Sequence, residues 1–187
     1  MNIIDLVDDA FRIGTLQNRE ELVGFTHFVC GISPKISMEI GTWKGGVTHI
    51  LSKISEQVFT LDLDGYGDFD INKRNEFLST YPNVKLFVAN SHFVSTFNAV
   101  KMYLGNNKLD LLFIDGDHSY QGVKEDYFMY KDLVRSGGYI IFHDIQDHER
   151  WKGISMEVPR FWNDLNGNKN EITIRSDYGG FGILKKD

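Results

Sequence analysis

The chain is poor in cysteine, in proline and in long apolar runs, and each shortage excludes a class of protein. Its one cysteine, Cys30, rules out an internal disulfide framework and is typical of a reducing compartment such as the cytoplasm. Three prolines leave no Pro-rich linker. No apolar run approaches the roughly 20 residues of a membrane-spanning helix. The N-terminus lacks the basic and then apolar pattern of a signal peptide.

Basic residues are in the minority as well. The 187 residues include 20 Lys and Arg against 26 Asp and Glu, a formal net charge of −6. Nonspecific nucleic-acid binding and docking on an anionic membrane both need a basic face, so the balance argues against both partners and favours a small molecule. The length predicts a single domain. The oligomeric state stays open, with a homodimer among the alternatives.

Short apolar runs alternate with longer amphipathic stretches, which is typical of βαβ units and a parallel sheet. The predicted strands are 37–40, 57–61, 84–88, 109–114 and 139–142, and the predicted helices are 2–12, 18–31, 44–54, 70–80, 92–103, 119–135 and 155–165. Strands at 171–175 and 181–184, joined by a short glycine turn, predict an antiparallel hairpin. The sequence therefore predicts one doubly wound α/β domain over 1–187, with a helical extension at 1–36 before a core at 37–187.

Ligands of doubly wound sheets bind beyond the carboxyl ends of the strands, so the residues there form the candidate site. The first strand leads into EIGTWKGG (39–46), whose glycines let the backbone approach a ligand and whose helix start offers free N–H groups. A plain glycine turn is the alternative for this loop. Asp62 ends the second strand, where a carboxylate can accept both ribose hydroxyls, and Asp64 is interpreted as a turn residue. Together the two signals predict a nucleoside-containing ligand.

The remaining strand ends carry polar side chains. Asn90 and Ser91 follow the third strand, where they either meet an adenine edge or cap the next helix. Asp115, Asp117 and His118 follow the fourth strand, and His143 and Asp144 follow the fifth. Adjacent strands bring these groups together, and buried carboxylates need water, a metal or a cationic ligand. Helix capping by Asp117 or Ser119 explains only one of the acids.

Three segments resemble a known family: MEIGTWKGGVT at 38–48, FTLDLDG at 59–65, and LDLLFIDGDHSYQGVKEDYFMYKDLVRSGGYIIFHDI at 109–145. The chain is similar to the class I S-adenosylmethionine-dependent methyltransferases, most of all to the small-molecule O-methyltransferase branch that includes the cephalosporin-hydroxylase-like proteins. The resemblance covers 38–145 well and 151–184 loosely. It implies a Rossmann-like fold with a seven-stranded, mostly parallel sheet whose last strand is reversed, and S-adenosyl-L-methionine as the cofactor.

The resemblance also implies roles for individual residues. The implied cofactor-binding residues are Glu39, Gly41, Thr42, Gly45, Asp62, Asn90, Ser91 and Asp115. Some relatives bind a divalent cation, which here implies Asp115, His143 and Asp144 as ligands of Mg²⁺ or Mn²⁺. The catechol type has two oxygen ligands on strand five, so a histidine there shifts the preference toward Mn²⁺, Fe²⁺ or Zn²⁺. The implied catalytic residues are Asp115 and, unless a metal lowers the pKa of the acceptor hydroxyl, a base, His118 or His143.

The implied reaction transfers a methyl group to a hydroxyl of a sugar, phenol or natural product, and depends mainly on positioning. The acceptor is expected near Trp151, Arg160, Phe161 and Trp162, although aromatic residues at helical spacing are more often core. Three rivals stay open: a protein of this fold that only binds cofactor or partners, a metal-dependent hydrolase and a nicotinamide oxidoreductase. The last rests on Tyr127-x-x-x-Lys131, but a helical stripe predicts that Tyr127 packs on the sheet. That stripe is Tyr120, Val123, Tyr127, Tyr130 and Val134.

The acidic residues are concentrated along the sequence. Residues 62–70, 110–117 and 144–149 hold ten of the 26 acids and no Lys or Arg, so the rest of the chain has 16 acids against 20 bases. We expect this acidity to lie in or beside the loops around the site, where it would attract a cationic sulfonium or a divalent ion.

Overall fold

The computed structural model describes residues 2–63, 69–147, 156–174 and 179–187. The helices are α1 (Ile3–Ile13), α2 (Arg19–Ile32), α3 (Gly46–Ile54), α4 (Ile71–Ser79), α5 (Val94–Leu104), α6 (Tyr120–Tyr130) and α7 (Val158–Asp164). The strands are β1 (Ile36–Ile40), β2 (Gln57–Asp62), β3 (Val84–Val88), β4 (Leu109–Ile114), β5 (Val134–His143), β6 (Asn168–Ile172) and β7 (Phe181–Lys185). None of the described helices has the length and apolarity needed to cross a lipid bilayer.

The seven strands form one sheet in the order β3-β2-β1-β4-β5-β7-β6. The strands from β3 to β5 are parallel, whereas β7 runs antiparallel to both β5 and β6. This confirms the predicted α/β fold with a reversed C-terminal strand. The chain turns from one half of the sheet to the other between β1 and β4, which is where such sheets open a crevice for a ligand.

Both faces of the sheet are covered. On one face, α1, α2 and α3 bury an apolar cluster in which Phe25 stacks on Phe181 with ring centroids 4.8 Å apart. On the other face, α5, α6 and α7 pack over a cluster that includes Met38, Phe142 and Trp162. Burial on two sides explains why the central strands are nearly continuous apolar runs.

The helix boundaries confirm one predicted cap and correct two others. Asn18 caps α2, accepting a hydrogen bond from the Glu20 amide at 2.9 Å. Neither Asn90 nor Ser91 caps α5, because that helix begins at Val94, after both residues. Likewise α3 begins at Gly46 rather than at 44.

The region around α6 corrects a longer helix prediction. The helix ends at Tyr130, and a 3₁₀ turn over Lys131–Leu133 leads directly into β5. Val134, predicted as the last residue of a helical stripe, is instead the buried first residue of that strand. Tyr127 does pack on the sheet, with its ring centroid 5.8 Å from that of Phe142.

The C-terminal hairpin is present but displaced. The strand predicted at 171–175 is β6, Asn168–Ile172, so eight residues separate its end from the start of β7 at Phe181. Most of β6 is polar and solvent-accessible at the sheet edge, so no apolar alternation marks it in the sequence.

Candidate active site

Gly41 brings the loop after β1 against the end of β4. Its φ is 96°, a left-handed conformation that suits glycine, and a Cβ there would overlap the carbonyl oxygen of Asp115. The Gly41 amide donates to the carbonyl of Leu61 at 2.8 Å, and the Asp115 amide donates to that of Ile40 at 2.8 Å. The ends of β1, β2 and β4 are therefore joined at this glycine.

The start of α3 packs against the N-terminal helices. The Gly46 amide donates to the Gly14 carbonyl at 3.1 Å, and the Gly45 amide donates to the Thr42 carbonyl at 2.9 Å. A Cβ on Gly46 would overlap the Gly14 carbonyl oxygen. The amides of Gly45 and Gly46 are therefore already hydrogen-bonded to carbonyls of the chain. The sequence predicted that amides at this helix start are free to bind a ligand, which is wrong for these two.

Glu39, on β1, is fully buried in a network of threonine hydroxyls. Its Oε2 accepts hydrogen bonds from Thr48 and, at 2.5 Å, from Thr60, whose hydroxyl also pairs with that of Thr42. Its Oε1 has no hydrogen-bond partner among the described residues. Burial raises the pKa of Glu39 to about 8 against the lowering effect of the threonines. The unsatisfied oxygen can accept a donor from a ligand.

Asp62, the last residue of β2, is held by three donors. Its Oδ2 accepts from the Trp43 amide at 2.7 Å and from the Arg74 guanidinium at 2.9 Å, and its Oδ1 accepts from the Leu63 amide at 2.8 Å. Burial raises the pKa of Asp62, although Arg74 opposes the rise. The carboxylate stays 15% exposed, and a carboxylate has about four acceptor sites. It can therefore still accept a hydroxyl.

Four side chains converge beyond β4 and β5. The Asp115 Oδ1 lies 3.3 Å from His118 Nε2 and 3.2 Å from His143 Nδ1. The Asp144 Oδ2 lies 3.1 Å from the same His118 nitrogen and 3.3 Å from the same His143 nitrogen. Ligand atoms of Asp115, His118 and Asp144 all lie within 4.8 Å of one another. Two carboxylates and two imidazoles are a donor set that suits a divalent metal ion.

The cluster is electrostatically balanced. Burial lowers the pKa of His118, but its hydrogen bonds to Asp115 and Asp144 outweigh this and raise it to about 10. Burial likewise opposes a high pKa for His143, yet the same two carboxylates hold it well above the ordinary value. Burial raises the pKa of each carboxyl, and the imidazoles reverse that effect, so both lie below the usual range.

The backbone around Asp144 makes room for the cluster. Asp144 has a φ of 60°, which is unusual for a residue other than glycine and typical of functional sites. A Cβ on Gly179 would overlap the Asp144 side chain, so the glycine before β7 leaves space for that carboxylate. The buried His143 ring packs 4.9 Å from the ring of Phe181.

Gln17 reaches the site from outside the predicted core. It lies between α1 and α2, and its Nε2 donates to the Asp115 Oδ2 at 2.6 Å. Sequence reasoning missed it, since a glutamine 98 residues before its partner carries no motif. Arg74 was missed too, because on α4 its sequence looks like that of an ordinary exposed helix.

The end of β3 has its own polar contacts. Asn90 accepts from the His92 amide at 2.8 Å, and the carbonyl of Ser91 accepts from the Tyr130 hydroxyl at 2.9 Å. The His92 Nε2 lies 3.2 Å from the fully buried carboxylate of Asp126. These contacts fix the loop after β3, and an adenine role for Asn90 and Ser91 stays a prediction.

Other residues singled out from the sequence lie elsewhere. Phe161 and Trp162 are buried in the core, as their helical spacing indicated. Arg160 pairs with Glu157 at 3.2 Å on the exposed side of α7. Asp64 and Trp151 lie outside the described residues.

One part of the acidity prediction is wrong. Asp110 was expected near the site, but it lies at the amino end of β4, whereas the site lies at the carboxyl ends of the strands. There it pairs with Arg135 at 2.6 Å.

Comparison with known proteins shows which family the chain belongs to. A family model described as a methyltransferase domain matches residues 38–145, which is more than half of the chain. The chain belongs to this methyltransferase family. The resemblance deduced from the sequence is thereby confirmed over the same residues. A curated relative, an uncharacterized protein of Acanthamoeba polyphaga mimivirus, is 56% identical over 45 residues, which is 24% of this chain and 20% of that protein. The matched part is thus about a fifth of that relative's length.

Solved structures share the methyltransferase fold. A Staphylococcus aureus protein described as a putative caffeoyl-CoA O-methyltransferase has a TM-score of 0.73 at 17% identity, covering 100% of this chain and 93% of that one. A Bacillus cereus O-methyltransferase, solved with S-adenosylhomocysteine, scores 0.65 at 16%, covering 96% and 89%. The methyltransferase MycE of mycinamycin biosynthesis, solved with Mg, S-adenosylhomocysteine and mycinamycin VI, scores 0.64 at 15%, covering 100% and 54%. This chain therefore spans about half of MycE.

Proposed function

We propose that this methyltransferase uses S-adenosylmethionine to methylate a hydroxyl group of a small molecule, assisted by a divalent cation. The observation that carries the proposal is the cluster of Asp115, His118, His143 and Asp144, which lies directly beside the Gly41 loop. Methyl transfer to oxygen requires that a methyl donor and a group able to remove a proton lie side by side. The solved neighbours that bind S-adenosylhomocysteine, and Mg in one case, support this assignment.

The donor half of the site consists of the ends of β1 and β2. The proposal assigns the methionine moiety to the Gly41 loop and its amino group to the unsatisfied Oε1 of Glu39. Asp62 takes the ribose hydroxyls, since it is still partly exposed beside the Arg74 guanidinium. The cofactor supplies the methyl group as an electrophilic sulfonium. The protein holds both of its ends and so fixes the direction of transfer.

The acceptor half consists of the ends of β4 and β5. We assign Asp115, His143 and Asp144 as the cation ligands, because His143 is only 7% exposed and cannot swing toward an acceptor. We assign His118 as the proton acceptor, because its side chain is 32% exposed. A cation on Asp115 and Asp144 would neutralise the carboxylates that raise the pKa of this imidazole to about 10, and would so leave it free to accept a proton. A bound divalent cation supplies Lewis acidity that lowers the pKa of a coordinated hydroxyl.

The contacts of the site favour methyl transfer over a nicotinamide oxidoreductase and over a metal-dependent hydrolase. The Tyr127 ring is wedged between Phe142 and Phe161 at 5.8 and 5.7 Å, which suits core packing rather than nicotinamide chemistry. Metal-dependent hydrolysis would leave the Gly41 loop and the buried Glu39 unexplained. We further propose, from composition, that the protein acts in the cytoplasm without a nucleic-acid or membrane partner.

A calorimetric titration tests the donor half. We expect S-adenosylmethionine to bind the full chain, and Asp62→Ala to weaken that binding more than tenfold, since the ribose loses its acceptor. Glu76→Ala, which removes an exposed carboxylate from α4, is the matched control. A chain with no affinity for S-adenosylmethionine contradicts the proposed function.

Release of S-adenosylhomocysteine across a panel of sugars, phenols and hydroxylated natural products tests the acceptor half. We expect EDTA to abolish turnover and Mn²⁺ or Mg²⁺ to restore it. His143→Gln should lose Mn²⁺ affinity, whereas His118→Gln should keep it and lose turnover. The reverse pattern would make His118 the ligand, which the 4.8 Å grouping also permits. Turnover that resists EDTA would remove the cation from the proposal.

A further inference from the structure

We propose that Gln17 is a positioning residue for methyl transfer: it orients the Asp115 carboxylate so that Oδ1 faces the two imidazoles. The inference rests on the proposed function and adds to it a residue from the helical segment ahead of the core. Gln17 is buried, with 8% of its surface exposed, and its side chain points inward from the connection between α1 and α2.

The two carboxylate oxygens of Asp115 have different partners. Oδ1 faces His118 and His143, as described above, whereas Oδ2 accepts from Gln17 Nε2 at 2.6 Å. Without the amide, Oδ2 would lack this donor inside the protein, and the carboxyl could rotate more freely, since its terminal torsion is soft. The hydrogen bond therefore selects which oxygen is offered to the cluster.

The amide of Gln17 is itself oriented. The Thr15 hydroxyl donates to Gln17 Oε1, so the NH₂ group is the end directed at Asp115. On one side the segment is anchored by the bond from the Gly46 amide to the Gly14 carbonyl. On the other it is anchored by Asn18, which caps α2. The main chain around Gln17 is thus fixed at both ends.

A neutral donor suits this position chemically. A lysine or arginine would satisfy Oδ2 equally well, but its charge would cancel that of Asp115 and oppose a divalent cation. The amide satisfies the oxygen and leaves the negative charge available. Partners of this kind behind a metal ligand typically change metal affinity by about 10- to 100-fold.

The experiment is a calorimetric titration of the full chain with Mn²⁺ alone. Gln17→Leu keeps the approximate volume and removes the donor, and we expect the Kd for Mn²⁺ to rise about tenfold or more. Thr15→Val, which keeps the amide but frees its orientation, should raise the Kd by a smaller factor. Asn2→Ala is the matched control: it removes the exposed cap at the start of α1, where Asn2 accepts from the Ile4 amide, and should lower the melting temperature while leaving the Kd unchanged.

The outcomes separate the two hypotheses. An unchanged Kd in Gln17→Leu, or an equal rise in Asn2→Ala, overturns the positioning role, and so does a chain with no affinity for Mn²⁺. A parallel titration with S-adenosylmethionine examines the proposed function independently. If that binding is absent while Gln17→Leu still weakens Mn²⁺ binding, the proposed function fails and the role of Gln17 in orienting Asp115 stands.

Discussion

Asp110 and Asp115 lie at opposite ends of β4 and are held by different kinds of partner. Asp110 accepts from the backbone amides of Lys35 and Ile36 at 2.8 and 3.0 Å, and from Arg135 at 2.6 Å. Asp115 instead meets two imidazoles and one side-chain amide, as described above. For both carboxyls burial raises the pKa and the partners lower it below the ordinary value. The direction of the shift therefore does not distinguish them.

What distinguishes the two acids is whether their partners can change. A backbone amide or an arginine keeps its proton under all ordinary conditions, so Asp110 has a fixed structural role in joining β1, β4 and β5. An imidazole can release its proton or exchange it for a metal ion. Asp115 is thus the acid whose surroundings permit chemistry, although both carboxylates belong to one strand.

Removing the charge of Asp115 should have the largest effect. We expect Asp115→Asn to lower turnover about 10³-fold, because the cluster loses the carboxylate that both imidazoles share. Stopped assays of S-adenosylhomocysteine release measure the effect. Asp110→Asn serves as the matched control on the same strand and should keep its turnover. Activity of Asp115→Asn within tenfold of the unchanged chain would break the comparison.

In the chain without ligand, Glu39 extends the comparison to a buried acid that holds its proton. Its pKa of about 8 lies above the ordinary 4.5, so the contribution of Glu39 to stability is greatest below pH 4.5 and falls as the pH rises toward 8. Glu39→Gln should remove this slope and stabilise the chain at pH 8.5 by on the order of 3 kcal/mol. Urea unfolding at several pH values measures it. The exposed acid control Glu76→Gln should leave the slope in place, and an unaltered slope in Glu39→Gln would contradict the prediction.

Asp110→Ala should destabilise the fold without affecting chemistry. We expect the free energy of unfolding to fall by about 2 kcal/mol, because two backbone amides lose a charged acceptor. Arg135→Ala should cost less than about 1 kcal/mol, since that side chain is half-exposed and its ion pair is screened. Urea titrations combined with turnover measurements test both. A loss of turnover in folded Asp110→Ala would place this end of the sheet in the mechanism.

Substitution of Ser119, the residue after His118, should have the smallest effect of the four. Its hydroxyl accepts from the Gly122 amide at 3.0 Å and so caps α6. Ser119→Ala should cost about 1 kcal/mol of stability and leave turnover within about twofold, whereas Ser119→Asp should keep the cap. Loss of activity in Ser119→Ala at unchanged stability would contradict the prediction and assign this residue to the chemistry rather than to capping.

The sequence predicts those parts of the fold and site that depend on local pattern. The apolar runs that became β1, β2 and β4 are recognisable because both of their faces are buried. Parallel neighbours then bring residues that follow different strands together, which is why Asp115, His143 and Asp144 could be grouped in advance. The edge strand β6 and the early start of β5 were mislocated, because exposed polar residues and a glycine pair carry no such pattern.

Contacts made by side chains across the fold were beyond prediction. The partners of Gln17 and Arg74 are Asp115 and Asp62, and in each case the pairing depends on how helices pack rather than on the residues nearby. Periodicity locates an element and its buried face. It does not specify which polar side chain of a neighbouring segment completes a carboxylate's hydrogen bonds.

A side chain at position 41 would overlap the Asp115 carbonyl, and this makes the position informative in related sequences. At Gly41 the proposed donor and acceptor halves of the site are in backbone contact, so their spacing is set by the absence of a single carbon atom. Any other residue there would push the end of β1 away from the end of β4 and, in the proposed reaction, lengthen the path of the methyl group. In a protein of this fold that keeps both sets of acids, the residue at this position is therefore an inexpensive indicator of whether methyl transfer has been retained.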